Sequence, residues 1–277
     1  MSAENPPAWL DELVLEADGP PWLAMGLARV PEAEWLLVGD RRPAELAERA
    51  RLLDERHDEV FAALPGTEAA GEEVLGLVTG WLAARRHDAT PRAGVHPLEA
   101  AGRLVQEDLV LMVDRDGDLH LDAACLCFPS HWRLADKLGR PTSEVHRPVP
   151  GYEEELAARV DRFLARLRPG VVTARRNWSV HPSADLFAPV PPPPAPEADL
   201  WLRSERQTLR RLGELDAVLF TIRVQQTPFA SLAHRPDVAR RLAARLRSQP
   251  PAFTGYQGLA PLLPEVLAGL DRTCGGR

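Results

Sequence analysis

Residues 108–128 read DLVLMVDRDGDLHLDAACLCF, and the change of pattern they bring decides the fold class. Upstream, apolar residues recur at helical spacing; from Glu107 they recur at the spacing of strands. Asp108–Asp114 is expected as one strand and Asp118–Phe128 as the next. Asp116-Gly117 between them is a hairpin turn signal, because both residue types tolerate positive φ. Pro129 ends the second strand, since proline has no N–H for the ladder.

Downstream, Ser130 is placed to cap a short helix over His131–Leu138, stopped by Gly139 before Pro141. Thr142–Gly151 is proline-punctuated and irregular, and carries His146. Tyr152–Leu167 is an amphipathic helix with Leu156, Val160, Phe163, Leu164 and Leu167 on one side. A third strand follows at Val171–Val180. Two long ones, Leu200–Leu212 and Ala217–Gln225, are joined through Gly213–Asp216. Ala188–Ala198 is proline-rich and reads as an extended, polyproline-like surface loop or insertion. Upstream, Ala44–Leu64 and Thr67–Arg86 form a helical hairpin through Pro65-Gly66, with Thr67 as N-cap and His57 on a solvated face. Residues 1–40 wrap the surface, and helices at Pro236–Arg247 and Ala260–Asp271 close the chain.

Two hairpin-linked strands, a helical excursion and three antiparallel strands give an α+β fold with PAS-like connectivity, in which small ligands lie between sheet and helices. The expectation is one domain over 1–277. It has a five-stranded antiparallel core at 107–225 with the proline-rich loop 188–198, a helical hairpin within 1–106, and C-terminal helices in 226–277.

Composition narrows the function. The chain has 277 residues, 45% hydrophobic and 26% charged, as folded proteins do. A net charge of −7 argues against a dedicated nucleic-acid binder. Three cysteines, Cys125, Cys127 and Cys274, are too few for a disulfide framework or an iron–sulfur cluster and point to a reducing compartment. The N-terminus lacks a basic leader region, and the longest apolar runs, such as Ala217–Ile222, are too short to cross a bilayer, so a cytoplasmic protein is expected. Lys137 is the only lysine in an arginine-rich chain, which reads as codon bias; each arginine must be argued from its position. Glycine-rich nucleotide motifs, serine elbows and zinc helices are absent. Cys125 and Cys127 read as small core residues, and His120 and Asp122 as solvated hairpin residues.

What remains is the polarity of two strands. Arg203, Glu205, Arg206 and Gln207 interrupt one; Arg223 and Gln225 share the Leu219/Thr221 face of the other. Such groups are costly to bury unpaired. They form either a solvated face with cross-strand pairs or the lining of a polar pocket.

Several long motifs then coincide: Cys127-Phe-Pro-Ser130, Trp132-Arg-Leu-Ala-Asp-Lys-Leu-Gly139, Val145-His146, Pro148-Val-Pro-Gly-Tyr152, Arg176-Asn-Trp-Ser179, Arg203-Ser-Glu-Arg-Gln-Thr-Leu-Arg-Arg211 and Phe220-Thr-Ile-Arg223. In this order and spacing, from about Trp35 to Asp271, they closely resemble the haem-binding alpha subunit of the haem-dependent oxidative N-demethylase family. His131 departs from the pattern, where a small residue or glycine is expected, as does Gln257 in place of lysine. The resemblance implies a PAS-like fold holding haem b, and monooxygenase-type oxidation of a small alkylamine such as dimethylamine with O₂. NADPH, FMN and a 2Fe-2S centre, with tetrahydrofolate as one-carbon acceptor, would lie only on partner subunits; this chain would need a separate flavin and iron–sulfur reductase. A non-catalytic haem sensor of gas or redox state, and a PAS-like ligand-binding module without haem, are the competing readings.

On the resemblance, His146 is the expected axial iron ligand, stiffened by Arg147-Pro148 and Pro150; His131 and Cys127 are alternatives. Arg133, Arg175 and Arg176 are expected to hold the propionates, ahead of Lys137, because a planar fork matches a carboxylate. Glu205, Arg206 and Arg223 are the expected catalytic residues on the distal side, with the choice between Arg203 and Arg206 open. Tyr152 and Trp178 are expected to wall the pocket.

Overall fold

The computed structural model describes residues 6–13, 15, 24–191 and 200–275. In chain order these form β1 (Ala28–Val30), α1 (Arg42–Glu55), α2 (His57–Val60), β2 (Phe61–Ala63), α3 (Glu68–Ala83), α4 (Pro97–Gly102), β3 (Glu107–Arg115), β4 (Asp118–Cys125), α5 (Thr142–His146), α6 (Ala158–Arg166), β5 (Val172–His181), β6 (Trp201–Arg211), β7 (Ala217–Pro228), α7 (Pro236–Arg247), α8 (Pro251–Tyr256) and α9 (Leu263–Gly275). The class is α+β. Among the described residues the strands make one open antiparallel sheet of seven, ordered β1-β5-β6-β7-β3-β4-β2.

The five expected strands lie side by side in its centre, and the hairpin between β3 and β4 turns at Asp116 (φ 58°) and Gly117 (φ 97°). The Gly117 N–H donates to Asp114 Oδ1 at 2.8 Å, which fixes the turn. The expectation of five strands is corrected to seven by two short edge strands. β2 arises where the helix Ala44–Leu64 was expected to continue. The chain leaves helical geometry at Arg56 (φ −134°), and Phe61–Ala63 pairs with Cys125–Ala123 of β4, burying the Phe61 ring.

The two faces of the sheet carry different cores. One packs Leu109, Leu111, Ala123 and Leu219 against Leu52 of α1, Val74 and Val78 of α3 and Leu98 of α4. Toward its β5–β6 side the same face meets α7 and α9 through Val180, Leu202, Leu242 and Val266. The opposite face packs Val110, Met112, Leu209, Val218 and Phe220 against Leu164 and Leu167 at α6. Each fully buried leucine contributes about 1.5–3 kcal/mol. This second core covers only part of its face, and the uncovered part is polar.

The excursion between β4 and β5 differs from its expectation. His131–Leu138 is not a helix: His131 takes a left-handed φ of 59° and gives its N–H to Ala188 O, leaving one 3₁₀ turn at Leu134–Asp136. Thr142–His146, expected to be irregular, is the short helix α5. Tyr152–Leu167 begins with a π-helical turn at Glu153–Ala157 before α6. Thr67 stands at the N-cap position of α3, but its hydroxyl donates back to Leu64 O. His57 and Asp122 are not simply solvated: His57 Nε2 lies 3.0 Å from Glu99, and Asp122 is buried beneath Arg115. Of the proline-rich segment, 192–198 lies outside the described residues.

Candidate functional site

Strand alternation sorts the polar residues of β5, β6 and β7 before any chemistry is assigned. Cross-strand partners point the same way, so Arg175 shares a face with Gln207, Asn177 with Glu205, and Leu209 with Phe220. These residues lie on the α6 side. Glu205 is the centre of the group. Gln207 Nε2 donates to Glu205 Oε2 at 3.1 Å. The carboxylate stands within electrostatic reach of Arg175, Lys137, Arg203, His131 and Tyr256.

His146 is the last residue of α5. Its Nδ1 donates to Thr142 O one helical turn back, at 2.9 Å, so the neutral ring carries its lone pair on Nε2. Tyr152 stacks on the imidazole with centroids 4.8 Å apart and 14° between planes. Burial pushes His146 down to about 4, against the Thr142 hydrogen bond and with help from the nearby Lys137 and Arg175 charges. It is therefore a neutral nitrogen donor at ordinary pH.

Haem b requires one axial donor, apolar or aromatic walls and cations for two propionates. The residues fit. Lys137 and Arg175 both stand beside His146, and burial lowers the pKa of each, a sign of charge that lacks full compensation. Neither has a carboxylate within ion-pair distance among the described residues; Lys137 Nζ lies 4.5 Å over the Trp132 ring. Among the described residues no three His, Cys, Asp or Glu side chains converge as a bare metal site. A single protein donor to an iron already held by its porphyrin is the arrangement these residues suit.

Other expected site residues lie elsewhere. Arg206 and Arg223 are cross-strand partners on the face opposite Glu205, so the three do not line one pocket. Arg206 donates to Glu34 O (2.6 Å) and Trp35 O (3.2 Å), and Arg223 pairs with Glu45 at 2.8 Å. Arg176 shares that opposite face and bonds Glu12, Ser204 and Gln225. Trp178 packs with the C-terminal helical core on the same side, away from His146. Arg133 is exposed, near Glu59. Cys127 is buried past the end of β4, its N–H given to Asp108 Oδ1 at 2.7 Å.

Of the arginine pair left open, Arg203 is the one on the Glu205 face. It is fully buried, donating to the carbonyls of Phe128, Pro129, Asp185 and Leu186 and so holding the turn that presents His131. His131 stacks on His181 at 4.5 Å. From the sequence, Gln207 is one of the polar strand residues but carries no assigned role, His181 is not singled out, and Lys137 ranks behind the arginines. The period-of-two rule applied to Arg203, Glu205 and Gln207 would have grouped the polar face.

With these residues placed, the comparison with known proteins is decisive: residues 85–267 match the family described as haem-dependent oxidative N-demethylase, alpha subunit-like. The chain belongs to this family. The matched span contains every member of the His146–Glu205 cluster and leaves α1 outside. As an N-demethylase alpha-subunit-like protein it is an oxidoreductase by family, with haem as the implied cofactor and further subunits implied by the word alpha. Among the described residues no helix is long and apolar enough to cross a membrane.

Proposed function

We propose that this N-demethylase-like chain is a single PAS-like unit that binds haem b through His146 and oxidises a small alkylamine, dimethylamine-like, with O₂ and electrons from a separate flavin and iron–sulfur reductase. The observation that carries this is the neutral His146 ring beside two cations, Lys137 and Arg175, neither of which makes an ion pair among the described residues. Haem supplies O₂ activation and electron removal from the N-methyl group when bound. Arg175 and Lys137 balance the two propionates, a revision of the arginine set expected from sequence. Once their charge is taken up, Glu205 is left to hold the alkylammonium. Its Oε2 is oriented by Gln207 Nε2, and its other oxygen, which accepts no hydrogen bond among the described residues, takes an ammonium N–H and then the proton, which frees the nitrogen lone pair. Trp132, lying under Lys137, and Tyr152, stacked on His146, restrict water at these groups.

The test is reconstitution of the purified protein with haem b. The parent should give a Soret band that His146→Ala abolishes or shifts, and amine-dependent O₂ uptake with an artificial reductant. A Soret band without amine-dependent uptake would turn the reading toward a haem sensor. No band at all would remove haem from it.

A further inference from the structure

We infer that Tyr152 is a positioning residue for His146, acting through its ring and not through its hydroxyl. The inference rests on His146 as the haem ligand. An imidazole on a five-residue helix has two free torsions, and two contacts fix them. The Nδ1 bond to Thr142 O sets how far the ring swings from the backbone. The stack on Tyr152, near-parallel at 14°, sets the plane of the ring and hence the direction in which Nε2 points. Tyr152 is itself immobilised. It is 3% exposed and packs with Leu156 and Ala157, against Met25, Val149 and Phe253. Its N–H bonds Val149 O, and the Val149 N–H bonds His146 O, so the chain from ligand to stacking partner is two closed turns. The π-turn at Glu153–Ala157 begins at the next residue. Such a turn accommodates one extra residue, and losing that residue would rotate what precedes it by about 100° relative to α6. Among the described residues the buried Tyr152 hydroxyl has no hydrogen-bond partner, so the ring is the part of the side chain that the described contacts engage.

The experiment compares Tyr152→Phe, Tyr152→Leu, Tyr152→Met and His146→Ala in the full chain loaded with ferric haem b. Readouts are the rate of haem transfer to excess apomyoglobin and, after reduction, the iron–imidazole stretching band in resonance Raman. Tyr152→Phe should match the parent. Tyr152→Leu and Tyr152→Met should lose haem roughly tenfold faster or more and broaden or shift the band, as loss of a ligand-orienting partner does. Tyr152→Met fills the space without a ring, so it answers the question if Tyr152→Leu does not fold. Parent-like transfer and band in Tyr152→Met, with the band lost in His146→Ala, would overturn the positioning role alone. Retention of the band in His146→Ala would overturn the ligand assignment and this inference with it. Equal loss in Tyr152→Phe and Tyr152→Met would overturn the claim that the ring, not the hydroxyl, acts.

Discussion

Glu205 and His181 show how single side chains take their character from what surrounds them. If Glu205 holds the ammonium, Glu205→Gln keeps the shape and loses the charge. Amine KM should rise about 10–100-fold, the size of a lost hydrogen bond to a charged group, while the Soret band stays in place. Steady-state kinetics with a dimethylamine titration and a parallel spectrum check both halves. His181 is buried against His131 and near Arg203, and burial with those neighbours pushes it down to about 2. Its folded-state pKa lies below the unfolded one, so on acidification the unfolded chain takes up the proton first. Stability is therefore lost as pH falls from about 6.5, with a slope of up to about 1.4 kcal/mol per pH unit from this group. His181→Phe preserves a ring for stacking and removes the titration. Urea unfolding between pH 7 and 5 should show a shallower loss in that variant.

Elements are joined here by a few buried contacts. Arg49 of α1 and Asp108 of β3 are both fully buried and lie 3.0 Å apart. Asp108 also accepts the N–H groups of Cys127 and Phe128, so one carboxylate ties a helix, a strand and the turn leaving β4. Asp108→Asn leaves the guanidinium without compensation and should cost about 3–5 kcal/mol in equilibrium denaturation. α4 reaches β4 at Gly102, where an added Cβ would stand 2.8 Å from the Cys125 Cβ. Gly102→Ala should cost about 1–3 kcal/mol by overpacking, and Cys125→Gly should recover part of that loss in the double variant. The legibility of these elements followed their range. β3 through β7 were readable because alternation and turn residues are local signals, and the Asp116-Gly117 turn formed where it was expected. β1 and β2 were not, because three residues carry no period and pair only when a neighbouring strand edge is in place. Arg49 could have been seen: Glu45, Leu52 and Leu53 share its helical stripe and are buried with it. The candidate site was half legible. His146, Tyr152, Arg175 and Glu205 lie together, whereas Arg176, Arg206 and Arg223, expected with them on the resemblance, fall on the opposite face because strand alternation turns them away.

For the molecule as a whole, the sheet is a partition. The site cluster lies on one side, and the N-terminal segment is fastened to the other by Arg206, Arg210 and Glu107 through Glu34 O, Trp35 O, Glu32 and the Leu37 N–H. Arg206→Ala should therefore lower thermal stability, since it leaves the buried Trp35 carbonyl without this donor, yet leave the haem spectrum and amine KM near parent values. Arg175→Ala should do the reverse, weakening haem retention with little change in melting temperature. Scanning calorimetry with and without haem separates the two. Lys137 gives the same partition a chemical handle. It is the sole lysine of the chain and sits 4.5 Å over Trp132 on the site side. Apart from the terminal amine, an acylating reagent has one nitrogen to find, and it is one whose basicity burial has lowered. Because acylation removes the charge assigned to a propionate, haem bound beforehand should slow the labelling of Lys137, a protection read by mass spectrometry without any engineered residue.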